Sequence, residues 1–330
     1  MNELDILTTI NKKLYDNHLL GDDCAEIKIP QNAKSLFITH DTLVEDVHFT
    51  TKTITPYELA QKAIAVNISD LCAGMAEPKF ITISLSLPQN ISKNFIEEFY
   101  DGVNDFCGKY KCTVAGGDLT RADKIVISIC AIGQQEKQIN ISRGNANIGD
   151  IVLICGNSGS SAIGLLELTT NPQTKSPFTE AHIAPIPQTK AVKELTKQNP
   201  QKIACMDTSD GLADALYKIA TASGTNIHVN ANHIPTQEKF YEKCNELNIN
   251  PIETILFGAE DFSLVIVVDK SIASNLPENI FTKIGKVSEK VAKPNVKILF
   301  DNEEIIIDEQ IIKEKTFNHF KNITGENNEI

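Results

Sequence analysis

At 330 residues, 42% hydrophobic and 22% charged, the chain has ordinary globular composition and the length of about two domains. Its 43 acids against 31 bases leave a net charge of −12, which repels a phosphodiester backbone and argues against a nucleic-acid partner. No apolar run approaches the roughly 20 residues a bilayer crossing needs, and residues 1–20 lack the basic start and apolar core of a signal peptide. The eight cysteines form no CxxC pair and no histidines sit at zinc-ligand spacing, so they read as reduced, mostly buried thiols of a cytoplasmic protein.

In chain order, a helix is predicted over roughly 3–16, followed by a loop holding Gly21-Asp22-Asp23 and strands near 25–30 and 35–41, the second closing on Asp41. The next helix is sharply punctuated. Thr55 suits its N-cap, Pro56 its first position and Glu58 the third position of a capping box, while Gly74 and Pro78 stop it. Asn67 and Asp70, three apart, share one face of it. A strand over 79–88, a helix over 91–109 and a strand over 112–117 ending in Gly116-Gly117-Asp118 follow, then a strand over 124–132.

The Gly/Asn-rich stretch at 144–147 marks a domain boundary, giving domains over 1–145 and 146–330. The second half opens with a strand over 151–155, a small-residue loop over 156–161 and a helix from about Ala162. That loop reads first as a tight strand–helix turn and second as a phosphate cradle. A strand ending near Asp207, a helix from about Asp210, strands over 227–230 and 262–268, and two strands joined by Asp301-Asn302 complete the pattern. Strands alternating with helices indicate an α/β or α+β protein. The tail beyond about Lys321 is polar.

The chemistry lies in the placement of acids. Asp22 and Asp23 form a loop pair, Asp41 and Asp118 stand at strand ends, Asp70 on a helix face, Asp207 and Asp210 around a helix start, and Glu260 and Asp261 before a strand. Singly, each is as well explained by a turn or a cap. Jointly they suggest metal binding, because converging carboxylates raise one another's pKa unless a cation neutralises them. Mg²⁺ takes carboxylate and phosphate oxygens together, so an acidic site can hold a polyphosphate through metal. Neither a G-x-x-x-x-G-K-[ST] loop nor a G-x-G-x-x-G loop is present. His48 and Arg143 are isolated, open to structural or surface duty as well as to substrate contact.

Six segments carry a resemblance: Gly21–Ala25, His40–Phe49, Ala65–Leu71, Gly116–Arg121, Asp207–Leu212 and Gly258–Phe262. In this order the chain resembles the thiamine-monophosphate kinases, within the aminoimidazole ribonucleotide synthetase superfamily. The segment ending in His48 is the more specific to the kinases. The resemblance implies ATP-dependent phosphorylation of thiamine phosphate to thiamine diphosphate on several Mg²⁺ ions. It implies an N-terminal mixed-sheet α+β domain that binds ATP and magnesium and pairs as a homodimer, and a C-terminal α/β domain. By matching position, Asp23, Thr39, Asp41, Asp70, Asp118, Asp207 and Asp210 would be metal ligands, with Asp41, Asp70 and Asp118 central to transfer. Asp23, Gly117, Asp118, Arg143 and Ser209 would contact ATP, and His48, Glu260 and Phe317 thiamine phosphate.

The chain departs from that pattern in three places. His40 stands where a second hydroxyl residue is usual, so any ligation there must use the backbone. Gly74-Met75 inverts a usual Met-Gly, and Ala184 and Gln188 replace arginines around the Pro185-x-Pro187 segment. On this reading the acceptor phosphate is its own nucleophile and His48 orients substrate. Other enzymes of the superfamily, of aminoimidazole ribonucleotide synthetase or selenophosphate synthetase type, and a non-catalytic nucleotide- or metal-binding regulator are the competing readings.

Overall fold

The computed structural model describes residues 3–15 and 33–317. The strand expected at 25–30 and the Gly21-Asp22-Asp23 loop lie outside these. The chain divides into two compact units. The first runs to Asn140 and takes in Ile183–Gln201; the second comprises Ile141–His182 and the chain from Lys202 onward. The predicted boundary at residue 145 thus stands beside a division by contacts at 140/141.

The first unit holds α1 (Glu3–Lys13), β1 (Ser35–Val44), α2 (Pro56–Ala73), β2 (Glu77–Leu87), α3 (Lys93–Tyr110), β3 (Thr113–Arg121) and β4 (Val126–Gln135), and β5 (Asn140–Ile141) begins there. The chain continues through β6 (Ile151–Cys155), α4 (Ser160–Thr170), α5 (Pro177–Ile183) and α6 (Thr189–Lys197), the last belonging to the first unit. Then come β7 (Lys202–Asp207), α7 (Leu212–Ser223), β8 (Thr225–Asn230), α8 (Phe240–Leu247), α9 (Pro251–Phe257), β9 (Leu264–Val268), α10 (Lys270–Ala273), β10 (Thr282–Lys290), β11 (Val296–Phe300), β12 (Glu303–Ile307) and α11 (Glu309–Lys315). The mixed α/β class expected from the sequence is the class observed.

The first sheet has the order β1-β4-β2-β3, with β2 and β3 parallel and the other pairings antiparallel. The parallel pair is joined by α3, the crossover that parallel strands require. The α2 N-terminus is built as its residues predict. The Thr55 hydroxyl accepts from the Glu58 amide at 3.2 Å, and the Glu58 carboxylate accepts from the Thr55 amide at 2.9 Å. α2 lies on the sheet against β1, β4 and β2. Toward it point Ile81, Ile83 and Leu85 of β2 and Ile127, Ile129 and Ala131 of β4, all buried. α3 approaches α2 so closely at Gly102 that a Cβ there would stand 2.3 Å from the Tyr57 carbonyl oxygen.

Two of the strands that run further than predicted bear on the site. β1 continues through Val44 because β4 pairs with it as far as Val44–Val126. β3 continues through Arg121 because β2 pairs with it as far as Leu87–Arg121. Asp41 and Asp118 therefore lie inside strands rather than at their ends, and which face each occupies follows from the pleat.

The second sheet has the order β12-β11-β8-β10-β6-β9-β7-β5. Its core joins Val152 and Ile154 of β6 and Val265 and Val267 of β9 to Leu212, Leu216 and Ile219 of α7 and Ile255 of α9. The β11–β12 hairpin turns on Asp301 (φ 47°) and Asn302 (φ 69°), the two left-handed residues that a tight hairpin turn needs.

Candidate active site

In the first unit, residues two apart on β1 and three apart on α2 face one another. Thr39 Oγ1 donates to Asp70 Oδ2 at 2.5 Å, and the Asp41 amide donates to Asn67 Oδ1 at 3.1 Å. Asn67 is buried, and its amide nitrogen is anchored on the Ala63 carbonyl at 3.0 Å, which orients the oxygen toward β1. The result is a polar notch of Thr39, Asp41, Asn67 and Asp70 between a strand and a helix. Burial, and next the charge of Asp70, push the Asp41 carboxyl up to about 6, opposed by His40. A half-buried carboxylate destabilised by a like neighbour is a place where a hard cation lowers the energy. Among the described residues, no three His, Cys, Asp or Glu side chains converge as a self-sufficient metal cage. Mg²⁺ keeps several waters and uses only one or two carboxylates beside substrate phosphates, so this donor set fits it.

His40 points to the other face of β1, where Nε2 lies 3.0 Å from Ser128 Oγ. Its imidazole therefore does not replace the missing hydroxyl beside Asp41. His48 follows the end of β1, in a turn where Asp46 adopts φ 62° and Glu45 holds the Ile125 amide at 3.0 Å. The Val44 amide donates to His48 Nδ1 at 3.0 Å. An accepting Nδ1 leaves the proton of a neutral ring on Nε2, so the ring presents a donor on its other edge.

Asp118 is not brought to this notch within one chain. β1 and β3 are opposite edges of the sheet, three strand spacings or roughly 14 Å apart. Asp41 aligns through Ile129 and Ile83 with Gly117, so Asp118, the next residue, is exposed on the opposite face. Gly117 is forced by close approach, because a Cβ would stand 2.0 Å from the Ile83 carbonyl oxygen.

In the second unit, the ends of β7 and β9 are stitched together. The Thr208 amide donates to the Ser263 carbonyl at 2.9 Å, the Ser263 amide to Thr208 Oγ1 at 3.0 Å, and the Glu260 amide to the Ser209 carbonyl at 2.8 Å. Asp207 is 5% exposed at the end of β7. Gly211, at φ 100°, fits beneath the 256–258 carbonyls before α7 begins at Leu212. Asp210 accepts from Lys218 at 3.2 Å, and Lys218 also pairs with Asp214 at 2.6 Å. Burial raises the Asp214 carboxyl, Lys218 opposes that, and the nearby Arg143 guanidinium also helps hold it down. Arg143 itself is exposed, in a short 3₁₀ turn tied to α7 by the Ser223 hydroxyl, which donates to its carbonyl at 2.9 Å.

The sequence did not single out the support beneath Glu260. Glu260 has φ 62°, and its carboxylate lies 3.6 Å from His182 Nδ1, which is itself 2.9 Å from Ser161 Oγ. His182 is a lone histidine on α5, and no local pattern marks it. Asp261 is half-buried and accepts from the Gly159 amide at 2.6 Å and the Ser161 amide at 2.9 Å. Burial pushes its carboxyl up to about 7 against those donors. The small-residue loop is thus a strand–helix turn whose amides hold an internal carboxylate, not a cradle for an external phosphate. Phe317 is 60% exposed, and Asp23 lies outside the described residues.

The chain is similar to known proteins over most of its length. A family described as AIR synthase related protein, N-terminal domain, matches residues 21–135. A thiamine-monophosphate kinase of Aquifex aeolicus is 33% identical over 318 residues, 95% of this chain and 97% of that protein. A solved structure described as AaThiL complexed with AMPPCP and TMP superposes with a TM-score of 0.75 at 32% identity, covering 96% of this chain and 97% of that one. E. coli HypE, a hydrogenase maturation protein, superposes with a TM-score of 0.76 at 18% identity over 93% of this chain and 97% of its own, a likeness of fold alone.

Proposed function

The chain belongs to the thiamine-monophosphate kinase family, and from that premise we propose how its residues carry out the reaction. It transfers a phosphate group from ATP to thiamine monophosphate, giving thiamine diphosphate. The observation that carries this is similarity to a kinase of that name along 95% of the chain at 33% identity. Relatives that share only the fold, such as HypE, leave no specific support for another reaction of the superfamily.

The acceptor is a phosphate monoester with a second pKa near ~6, as for phosphorylated side chains, and so is largely a dianion at pH 7. It needs no base to remove a proton, and the protein's task is alignment and charge neutralisation. Asp41 and Asp70, with Thr39, would hold magnesium at the notch; Asp23, Asp118, Asp207 and Asp210 are assigned as further ligands through the family resemblance. Bound magnesium would supply the positive charge that lets two phosphate groups approach. Asn67 keeps β1 in register with α2, so Asp41 and Asp70 stay opposed. His48, protonated on Nε2, donates to thiamine phosphate, and the contact of His182 with Glu260 keeps that carboxylate in place for the substrate. Gly117, Asp118, Arg143 and Ser209 serve ATP, and Phe317 covers the thiamine ring.

We further assign the protein to the cytoplasm as a homodimer. The seven described cysteines are all free thiols, as a reducing compartment requires. The face of the first sheet turned away from α2 carries Leu36 and Ile38, 48% and 73% exposed, beside half-buried Phe80, Cys130 and Ile132. A second copy on this face would cover that apolar surface, and Asp118 stands on the same face. The deciding experiment is a product assay with ATP, Mg²⁺ and thiamine monophosphate. Thiamine diphosphate should form, activity should need Mg²⁺ beyond the amount that complexes ATP, and Asp70→Asn should lower kcat by at least a hundredfold. Saturation at one equivalent of Mg²⁺ would count against a multi-metal site.

A further inference from the structure

The second unit carries a basic concavity unconnected with the acidic residues above. It is an open groove of about 510 Å³ over β8, β10 and β11. That falls within the roughly 300–1,000 Å³ of small-molecule sites. Around it stand Lys283, Lys286, Lys297, His228 and His233, with Glu304 as the one acid. In a chain of net charge −12, such a concentration of cations runs against the general trend.

The sheet register makes this concentration a built feature. Lys297 of β11 and Lys286 of β10 both pair directly with His228 on β8, so three basic residues form one cross-strand row. Lys286 and Lys297 flank His228, one strand spacing to each side, so two ammonium groups stand roughly 10 Å apart across one row. Lys283 and Lys286, three apart on one strand, would point to opposite faces of a regular strand. The register shift between Lys283 and Gly285 cancels that alternation. Lys283 aligns with Leu153 and Lys286 with Ile151, two residues that share a face. Bulges that re-aim a side chain recur beside binding sites. Gly285 keeps β10 close to β8, since a Cβ there would meet the His228 carbonyl oxygen at 2.1 Å.

The cations are weakly compensated. Lys297 lies 3.6 Å from Glu304, and Lys283 3.9 Å from the 88% exposed Glu278. Lys286 makes no ion pair among the described residues. His228 Nε2 is buried with no hydrogen-bond partner there, an unusual state for a polar atom. Leu299 adds apolar surface for the body of a ligand.

We propose that this concavity is a second ligand site, binding a small molecule that carries a phosphate or diphosphate group across the Lys286–His228–Lys297 row. The test is calorimetric titration of the full chain with inorganic pyrophosphate and, separately, orthophosphate, both in EDTA. Without divalent metal, the aspartates repel anions, so binding reports the basic face; the two arms distinguish a diphosphate from a monophosphate ligand. One saturable site per chain is expected for at least one of them. Lys286→Ala and Lys297→Ala should each weaken it at least fivefold and the double variant at least twentyfold, with Asp70→Asn unchanged. Lys286 is exposed and unpaired among the described residues, so its variant keeps the test informative if Lys297→Ala unfolds. Absence of saturable binding at millimolar concentrations of both anions, or binding undiminished in Lys286→Ala, overturns the proposal.

Discussion

In the proposed metal site, Asp41 would gain from a cation because burial and the charge of Asp70 disfavour its ionised form. The folded Asp41 carboxyl sits at about 6, above its ordinary 3.8. For a carboxyl raised in this way, the stabilising contribution is fully present below the unfolded value and is lost as pH rises through about 6. Metal offsets that loss, since it takes the place of the proton. The increase in Tm on adding Mg²⁺ should therefore be larger at pH 7.5 than at pH 5, and Asp41→Asn should flatten the difference; equal increases at both pH values in the parent protein would contradict the metal assignment. His48 makes a different kind of contact. Its Nδ1 holds the backbone at Val44, so His48→Gln should raise KM for thiamine monophosphate several-fold with kcat reduced less than threefold. A normal KM with a collapsed kcat in steady-state assays would instead give His48 a part in transfer itself.

Elements carry the site through close approaches that single glycines permit. α2 supplies Asn67 and Asp70, and its position depends on α3 packing behind it at Gly102. Gly102→Ala would drive a Cβ against backbone, which cannot yield as a side chain can, and should cost about 1–3 kcal/mol. Gly108, on the same helix, has open space where its Cβ would be. Gly108→Ala should be neutral or stabilise by up to about 1 kcal/mol through helix propensity. Denaturant unfolding of the two variants separates them by sign. On the other unit, the Asp261 carboxylate gathers the start of α4, while Glu260 beside it is held in a left-handed conformation and backed by His182. One acid thus sets the loop from which its neighbour projects.

At the scale of the molecule, the first sheet is covered by helix on one face and carries exposed Leu36 and Ile38 on the other. An apolar face of this kind calls for a partner surface. Ile38→Asp should convert the proposed homodimer to a monomer, read by light scattering, and lower activity if Asp118 works at that interface. A monomeric parent protein would remove that role for the face. The division into two units also differs from what composition suggests, because α6 lies in the first unit while the chain on either side of it lies in the second.

Much of this was legible along the chain. The helix limits at Thr55 and Gly74, the hairpin at Asp301-Asn302 and the strand over 151–155 follow from caps, turns and apolar runs, which act between neighbours in sequence. The candidate acids were also nameable, since a motif is a local string. What only the tertiary structure decided is which of them meet. Pairing of β4 with β1 extended the strand past Asp41 and turned that residue toward Asp70, while the same pleat turned His40 away and put Asp118 on the far edge and opposite face. Lys283 and Lys286 came to one face through a register shift beside Gly285, and His182 reached Glu260 across many residues of intervening chain. The physical reason is that strand register and face are settled by long-range pairing, where one residue of slip reverses every side chain.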